Sequence, residues 1–168
     1  MAETTSIDRA WIAAELVKGV DAERSLAADA KTRAESPPDP ALSVLYHEIA
    51  TADERHAAAV ETIAARYGHV PSKSSGGGIS QAFGHLKDRI AGLGSNALDQ
   101  MVLDVTAKAQ SVHWYDAWSH AFGAIGDADS ARELSAVLTE EQAHRDALQS
   151  GLNRMVEQAA RGGAARAG

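Results

Sequence analysis

Residues 138–148, LTEEQAHRDAL, lie within a long run of helix-forming residues and set the pattern of the chain. Apolar side chains recur at helical spacing before and after this stretch, at Leu134, Val137, Leu138, Leu148, Leu152 and Met155. One face of a helix is therefore predicted to face a core. Glu141 and His144 continue that face through the gap between the two apolar groups.

A carboxylate and an imidazole three residues apart project side by side from a helix. Burying them without a partner costs free energy, and a metal ion is the usual partner of Glu-x-x-His inside a helix bundle. The alternative is that Glu141 and His144 lie at the edge of the apolar face and reach water. The rest of the chain bears on this choice.

Length and composition place the chain among small all-α proteins. Its 168 residues suit one domain, 1–168, with a core over about 6–160. Gly and Pro cluster in few places, which leaves long helix-forming runs. The net charge of −7 without a basic block argues against a nucleic-acid partner. No apolar run approaches the roughly 20 residues of a membrane span. No signal peptide is visible, so we expect a cytoplasmic protein.

Breaks in the pattern predict four long helices and one short one. The long helices are expected from Ser6 to Ser36, 41–67, 96–124 and from Asp127 or Ser130 to about Ala160. Short connections make the first two helices antiparallel neighbours, and likewise the last two. Between the pairs we expect a long crossover, with a flexible loop at 69–79 and a short helix at about 80–91. Residues 161–168 are expected to fray.

Polar residues interrupt the apolar face of each long helix at one height. Glu23 lies about twelve residues before the first helix ends, and Asp53-x-x-His56 lies about as far into the second. His113 and Glu141 stand in the same relation across the second pair, which at about 1.5 Å per residue puts both pairs at one level. The inner face of the third helix is predicted to run through Leu98, Val102, Val105, Ala109, Val112 and Asp116. The predicted metal ligands are Glu23, Asp53, His56, His113, Glu141 and His144.

This pattern resembles the ferritin-like superfamily of di-metal carboxylate bundles, and within it the small YciF-type family of stress-associated bacterial proteins. The likeness covers most of residues 8–155. It is carried by Asp21-Ala22-Glu23-Arg24, by residues 110–116, QSVHWYD, and by Leu138-Thr139-Glu140-Glu141. The family pattern has Glu at the position of His113 and His at that of Trp114. Asp116 is the alternative ligand from the third helix.

The resemblance implies an antiparallel four-helix bundle whose crossover carries the short extra helix. Carboxylate and imidazole ligands suit iron, manganese or zinc, as one ion or two. Such a site, as a di-metal oxidoreductase, would act on oxygen, peroxide or ferrous iron in stress protection. The alternative is a structural or interaction bundle with a degenerate or empty site. Trp11, Trp114 and Trp118 offer an outer face for a homodimer.

Overall fold

A computed structural model of the chain describes residues 8–70 and 96–166. This part of the chain forms four long helices and no strand. The helices are α1 (Arg9–Glu35), α2 (Ser43–Arg66), α3 (Ala97–Ala124) and α4 (Ala128–Arg166), and a 3₁₀ turn (Pro40–Leu42) precedes α2. The all-α prediction is confirmed. None of these helices is long and apolar enough to cross a membrane.

The ends of the helices follow from local chemistry. Asp39 accepts a hydrogen bond from the backbone N–H of Ala41 at 3.0 Å, and Pro40 fills the first position after it, as predicted. Gly68, just past α2, has a φ of 99°, a conformation that favours glycine. α4 continues to Arg166, beyond the end predicted near Ala160. The predicted loop and short helix between α2 and α3 lie outside the described residues, apart from the loop's first two positions, 69–70.

Side-chain pairs fix the direction of the helices. Arg24 pairs with Glu61, and Lys31, one to two turns later in α1, pairs with Glu54, which comes earlier in α2. α1 and α2 are therefore antiparallel neighbours, as predicted.

The same reasoning orders the other helices. Arg55 of α2 pairs with Glu140 of α4, and Arg66 pairs with Glu133 further back in α4, so these two helices are also antiparallel. α3 packs antiparallel to α4 and also lies beside α1, where Arg33 pairs with Asp104. α2 and α3 consequently lie diagonally across the bundle.

The core consists of two apolar layers with a polar layer between them. One apolar layer holds Leu16, Val60 and Ile63 together with Phe122 and Leu134. The other layer is built from Leu42, Tyr46, Ile49, Met101 and Leu148. Between these layers each helix contributes buried polar side chains, which are Glu23, Asp53, His56, Lys108 and Glu141.

The predicted inner face of α3 is wrong in part, because only Val112 of its six members is buried. Asp116 is exposed and Val102 is 39% exposed. The side chains that α3 buries are Met101, Lys108, Ser111, Val112, Tyr115 and Phe122. Apart from Ser111, these residues are three, four or seven positions apart and so lie on one face of the helix. The buried face of α3 is therefore shifted by about one residue from the predicted face.

Candidate metal centre

Four of the six predicted ligands meet in the polar layer. Glu23 of α1, Asp53 and His56 of α2 and Glu141 of α4 each offer one ligand atom, and these atoms lie within 4.8 Å of one another. All four side chains are buried. Three carboxylates and an imidazole at this separation could hold a metal ion.

Helix periodicity explains how α1 and α2 deliver these groups. Glu23 takes the place of a core residue between Val20 and Ala27, which are both buried. Asp53 and His56 are three residues apart and so project from the same side of α2.

α3 contributes a lysine to the centre rather than a histidine. Lys108 is 3% exposed, and its Nζ lies 2.5 Å from Asp53 Oδ1 and 2.9 and 3.0 Å from the two carboxylate oxygens of Glu141. The ammonium group of Lys108 thus lies between the carboxylates of Asp53 and Glu141, at a position where a metal ion could also contact both. Lys108 was not predicted from the sequence, because a lysine among apolar residues ordinarily extends its ammonium group to water.

Further hydrogen bonds orient the centre. His56 Nδ1 lies 3.0 Å from Glu141 Oε1, and its Nε2 lies 3.0 Å from Glu140 Oε2 at the edge of the bundle. The Tyr115 hydroxyl donates to Glu23 Oε1 at 3.0 Å. Carboxylates behind an imidazole fix its tautomer and ring orientation, as is common around metal sites.

Burial and charge shift the protonation of the carboxylic acids unequally. Burial, reinforced by the negative charge of Glu141, raises the pKa of Glu23 to about 8. Burial also raises the pKa of Asp53 to about 6, although Lys108 opposes this shift. Burial acts in the same direction on Glu141, but hydrogen bonds from His56 and Lys108 outweigh it and lower its pKa.

The pKa values of Lys108 and His56 are shifted in the direction that favours their charged forms. Burial lowers the pKa of Lys108, but the carboxylates of Asp53 and Glu141 raise it by more, so the net shift is upward. The pKa of His56 is likewise raised, because hydrogen bonds to Glu141 and Glu140 outweigh burial. Without a metal, positive charges of the chain itself therefore compensate the buried carboxylates.

Two oxygens of the centre have no hydrogen-bond partner among the described residues. They are Glu23 Oε2 and Asp53 Oδ2, both fully buried. His56 Nδ1 lies 4.0 Å from the first of them. Unpaired buried oxygens are rare in folded proteins, and a bound ion is one of the partners that satisfies them. The residues present therefore fit a cation beside Glu23 Oε2 and Asp53 Oδ2, the oxygens that Lys108 does not contact.

The remaining predicted ligands do not join the group. His113 is exposed, and the alternative, Asp116, is also exposed and lies 3.5 Å from His120. His144 is half-buried and lines a surface groove between α2 and α4 with Val44 and Thr51. Its Nδ1 is buried without a hydrogen-bond partner among the described residues, but His144 is not among the four residues whose ligand atoms lie close together. On α2, both Asp53 and His56 of the carboxylate-x-x-His pattern reach the centre. On α4, only Glu141 of the same pattern joins the group.

Comparisons with known proteins add no relative. No protein-family model, no curated protein and no solved structure matches the chain. The resemblance to ferritin-like proteins of the YciF type therefore stays a prediction.

Proposed function

We propose that this protein is a ferritin-like bundle that binds one divalent metal ion through Glu23, Asp53, His56 and Glu141, with Lys108 as a second, built-in cation. One observation carries the proposal. The Lys108 ammonium lies against one side of the carboxylate cluster, while Glu23 and Asp53 each keep a buried oxygen without a partner among the residues described. The cluster thus has one cation position filled and ligand atoms left for another.

Charge supports one ion rather than two. Glu23, Asp53 and Glu141 carry three negative charges when ionised. Lys108 supplies one positive charge and a divalent ion supplies two, which balances the buried centre with a neutral imidazole. Two divalent ions beside Lys108 would leave a buried excess of two positive charges, which is costly in a low-dielectric interior. This proposal replaces the di-metal centre expected from the sequence.

The donor set suits iron, manganese or zinc. Iron or manganese would supply redox chemistry toward oxygen or peroxide. The chain's own contribution is to exclude water and to orient the imidazole of His56 through its hydrogen bond to Glu140. We extend the proposal to protection against oxidative stress, in the cytoplasm and as a homodimer, on the strength of the resemblance alone.

A second candidate function is a structural or interaction bundle that needs no metal. It is favoured by the three contacts of at most 3.0 Å between Lys108 Nζ and the carboxylates of Asp53 and Glu141. The ammonium group then compensates the carboxylates without a metal, and the hydrogen bonds of His56 to Glu141 and Glu140 favour the charged imidazole.

Metal content discriminates between these two functions. Protein purified from medium supplemented with iron, manganese and zinc is examined by mass spectrometry of the elements. We expect about one ion per chain, because the ligand set completes one site. Glu23→Gln should abolish binding, since an amide is a much weaker ligand, while the same exchange at Glu15, two turns away on α1, should leave the stoichiometry unchanged. Fewer than about 0.1 ions per chain would favour the structural bundle.

A lysine variant tests the role of the built-in cation. Lys108→Met removes the ammonium and frees the carboxylate oxygens that it contacts, so the metal content should rise from about one toward two ions per chain. Two ions per chain in the unmodified protein would show that Lys108 does not exclude the second ion. Circular dichroism establishes that each variant remains helical.

A further inference from the structure

Three aromatic side chains of α3 lead from the buried cluster to the surface. Tyr115, which is 1% exposed, donates its hydroxyl hydrogen to Glu23. The Tyr115 ring meets Trp118 edge to face with 5.6 Å between centroids, and Trp118 lies 6.0 Å from Trp114. Trp114 is 49% exposed. The rings thus form a continuous series from a core carboxylate to solvent.

α3, which carries the three rings, and its neighbour α1 hold this series in place. Spacings of three and four residues put Trp118 beside both Tyr115 and Trp114 on the surface of α3. On the other side, α1 presents Gly19, where an added Cβ would lie 2.3 Å from the indole ring of Trp118. The glycine therefore lets the indole lie directly on the backbone of α1, in contact with Tyr115.

The chemistry of these side chains suits electron transfer. The chain has no cysteine, so its indoles and phenols are among the side chains that most readily give up one electron. A phenol is oxidised readily only if a base accepts its proton at the same time. Glu23 Oε1, at 3.0 Å from the Tyr115 hydroxyl, lies within the distance required for that transfer.

We propose that Tyr115, Trp118 and Trp114 form an electron-transfer path between the buried cluster and the surface of α3. A one-electron oxidant at the surface takes an electron from Trp114, which is then reduced by Trp118, which in turn is reduced by Tyr115. The Tyr115 O–H bond breaks as its proton passes to Glu23 Oε1. The products are the reduced oxidant, a neutral tyrosyl radical and the carboxylic acid of Glu23.

This path goes beyond the proposed metal site and does not depend on it. Each electron moves between side chains of α3, and the only proton moves to a carboxylate of the chain. The path can therefore be examined in metal-free protein, so that its failure and the failure of metal binding are separate results.

Photochemical oxidation provides the test. Metal-free protein is mixed with tris(bipyridine)ruthenium and persulfate. After a light flash we expect a tyrosyl radical by electron paramagnetic resonance and transient absorption. Tyr115→Phe should remove the signal. Trp118→Phe and Trp114→Phe should each slow its appearance and lower its yield.

Trp11→Phe is the matched control, because Trp11 is 62% exposed but belongs to α1. It should leave the rate and yield unchanged. Trp114 is half exposed, so its replacement tests the path even if the Trp118 variant unfolds. An undiminished radical in Tyr115→Phe would place oxidation at another tyrosine and overturn the proposal. Unchanged kinetics in Trp114→Phe would overturn it as well, since oxidation would then bypass the surface indole.

Discussion

Replacing Lys108 by methionine is the most informative perturbation of this bundle. Methionine has nearly the length of lysine but no charge, so the variant removes the ammonium while leaving most of the packing. Asp53 and Glu141, both fully buried, then lose the cation that contacts them. The expected result is a large loss of stability in metal-free protein at neutral pH.

The magnitude follows from the burial of all three groups. Removing one partner of a buried ion pair costs about 3–5 kcal/mol, because the remaining charge is left uncompensated. A domain of this size has a total stability of about 5–15 kcal/mol, so much of it should disappear. Burial raises the pKa of Asp53, and Lys108 opposes that shift. In the variant Asp53 should bind a proton more readily, and the loss of stability should shrink as the pH falls.

Urea unfolding followed by far-ultraviolet circular dichroism measures this loss as a change in midpoint at constant slope. The matched control is Lys31→Met, because Lys31 and its partner Glu54 are 58% and 55% exposed. An exposed pair contributes about 0–1 kcal/mol. Adding Asp53→Asn to Lys108→Met should recover part of the stability, since it removes one of the uncompensated charges.

Equal effects of the two lysine variants would refute this reasoning. A loss below about 1 kcal/mol for Lys108→Met would mean that its ammonium is not the counter-charge of the buried carboxylates. The charge balance behind the one-ion proposal would then be wrong too. If saturating divalent metal restores stability to Lys108→Met, that result would support the charge balance. An ion at 100 times its Kd stabilises the folded state by about 2.7 kcal/mol.

Three other perturbations test separate parts of the structure. Gly19→Ala should displace Trp118, whose ring lies 2.3 Å from the added Cβ, and lower the melting temperature despite the higher helix propensity of alanine. Because the pKa of Glu23 is raised from 4.5 to about 8, the folded state holds a proton that the unfolded state releases, so this group should make stability fall as the pH rises across that interval. The slope from this group is at most about 1.4 kcal/mol per pH unit, and the total slope should be smaller by that amount in Glu23→Gln. Asp127→Ala should cost about 1–2 kcal/mol by urea unfolding, because Asp127 accepts hydrogen bonds from both the N–H and the hydroxyl of Ser130 at the start of α4.

Each of these variants has a control on the same element or beside it. The control for Gly19→Ala is Gly123→Ala, where nothing lies within 4 Å of the added Cβ. The control for Glu23→Gln is Glu15→Gln, and the control for Asp127→Ala is Asp129→Ala. Equal melting temperatures for the two glycine variants would contradict the contact with Trp118. An unchanged pH slope in Glu23→Gln would assign the proton to another group. Equal losses for the two aspartate variants would remove the capping argument.

The helices and four of the five polar residues of the centre, all except Lys108, could be predicted from the amino-acid sequence. Breaks at Pro37, Gly68 and Gly126 mark where helices end, because proline and positive-φ glycine interrupt the helical hydrogen-bond pattern. In α1 and α2 the apolar face is unambiguous, so a polar residue within it must be buried. Glu23 and the Asp53–His56 pair could therefore be predicted as members of a buried cluster.

The rotation of α3, and with it the identity of the cation, follows only from the packing of the four helices together. α3 has apolar side chains on several faces, since Val102 is partly exposed while Lys108 and Tyr115 are buried. Periodicity alone could not select its inner face, because the choice depends on what α1, α2 and α4 already bury. Three carboxylates in the core make a buried lysine favourable on α3, where in isolation it would face water.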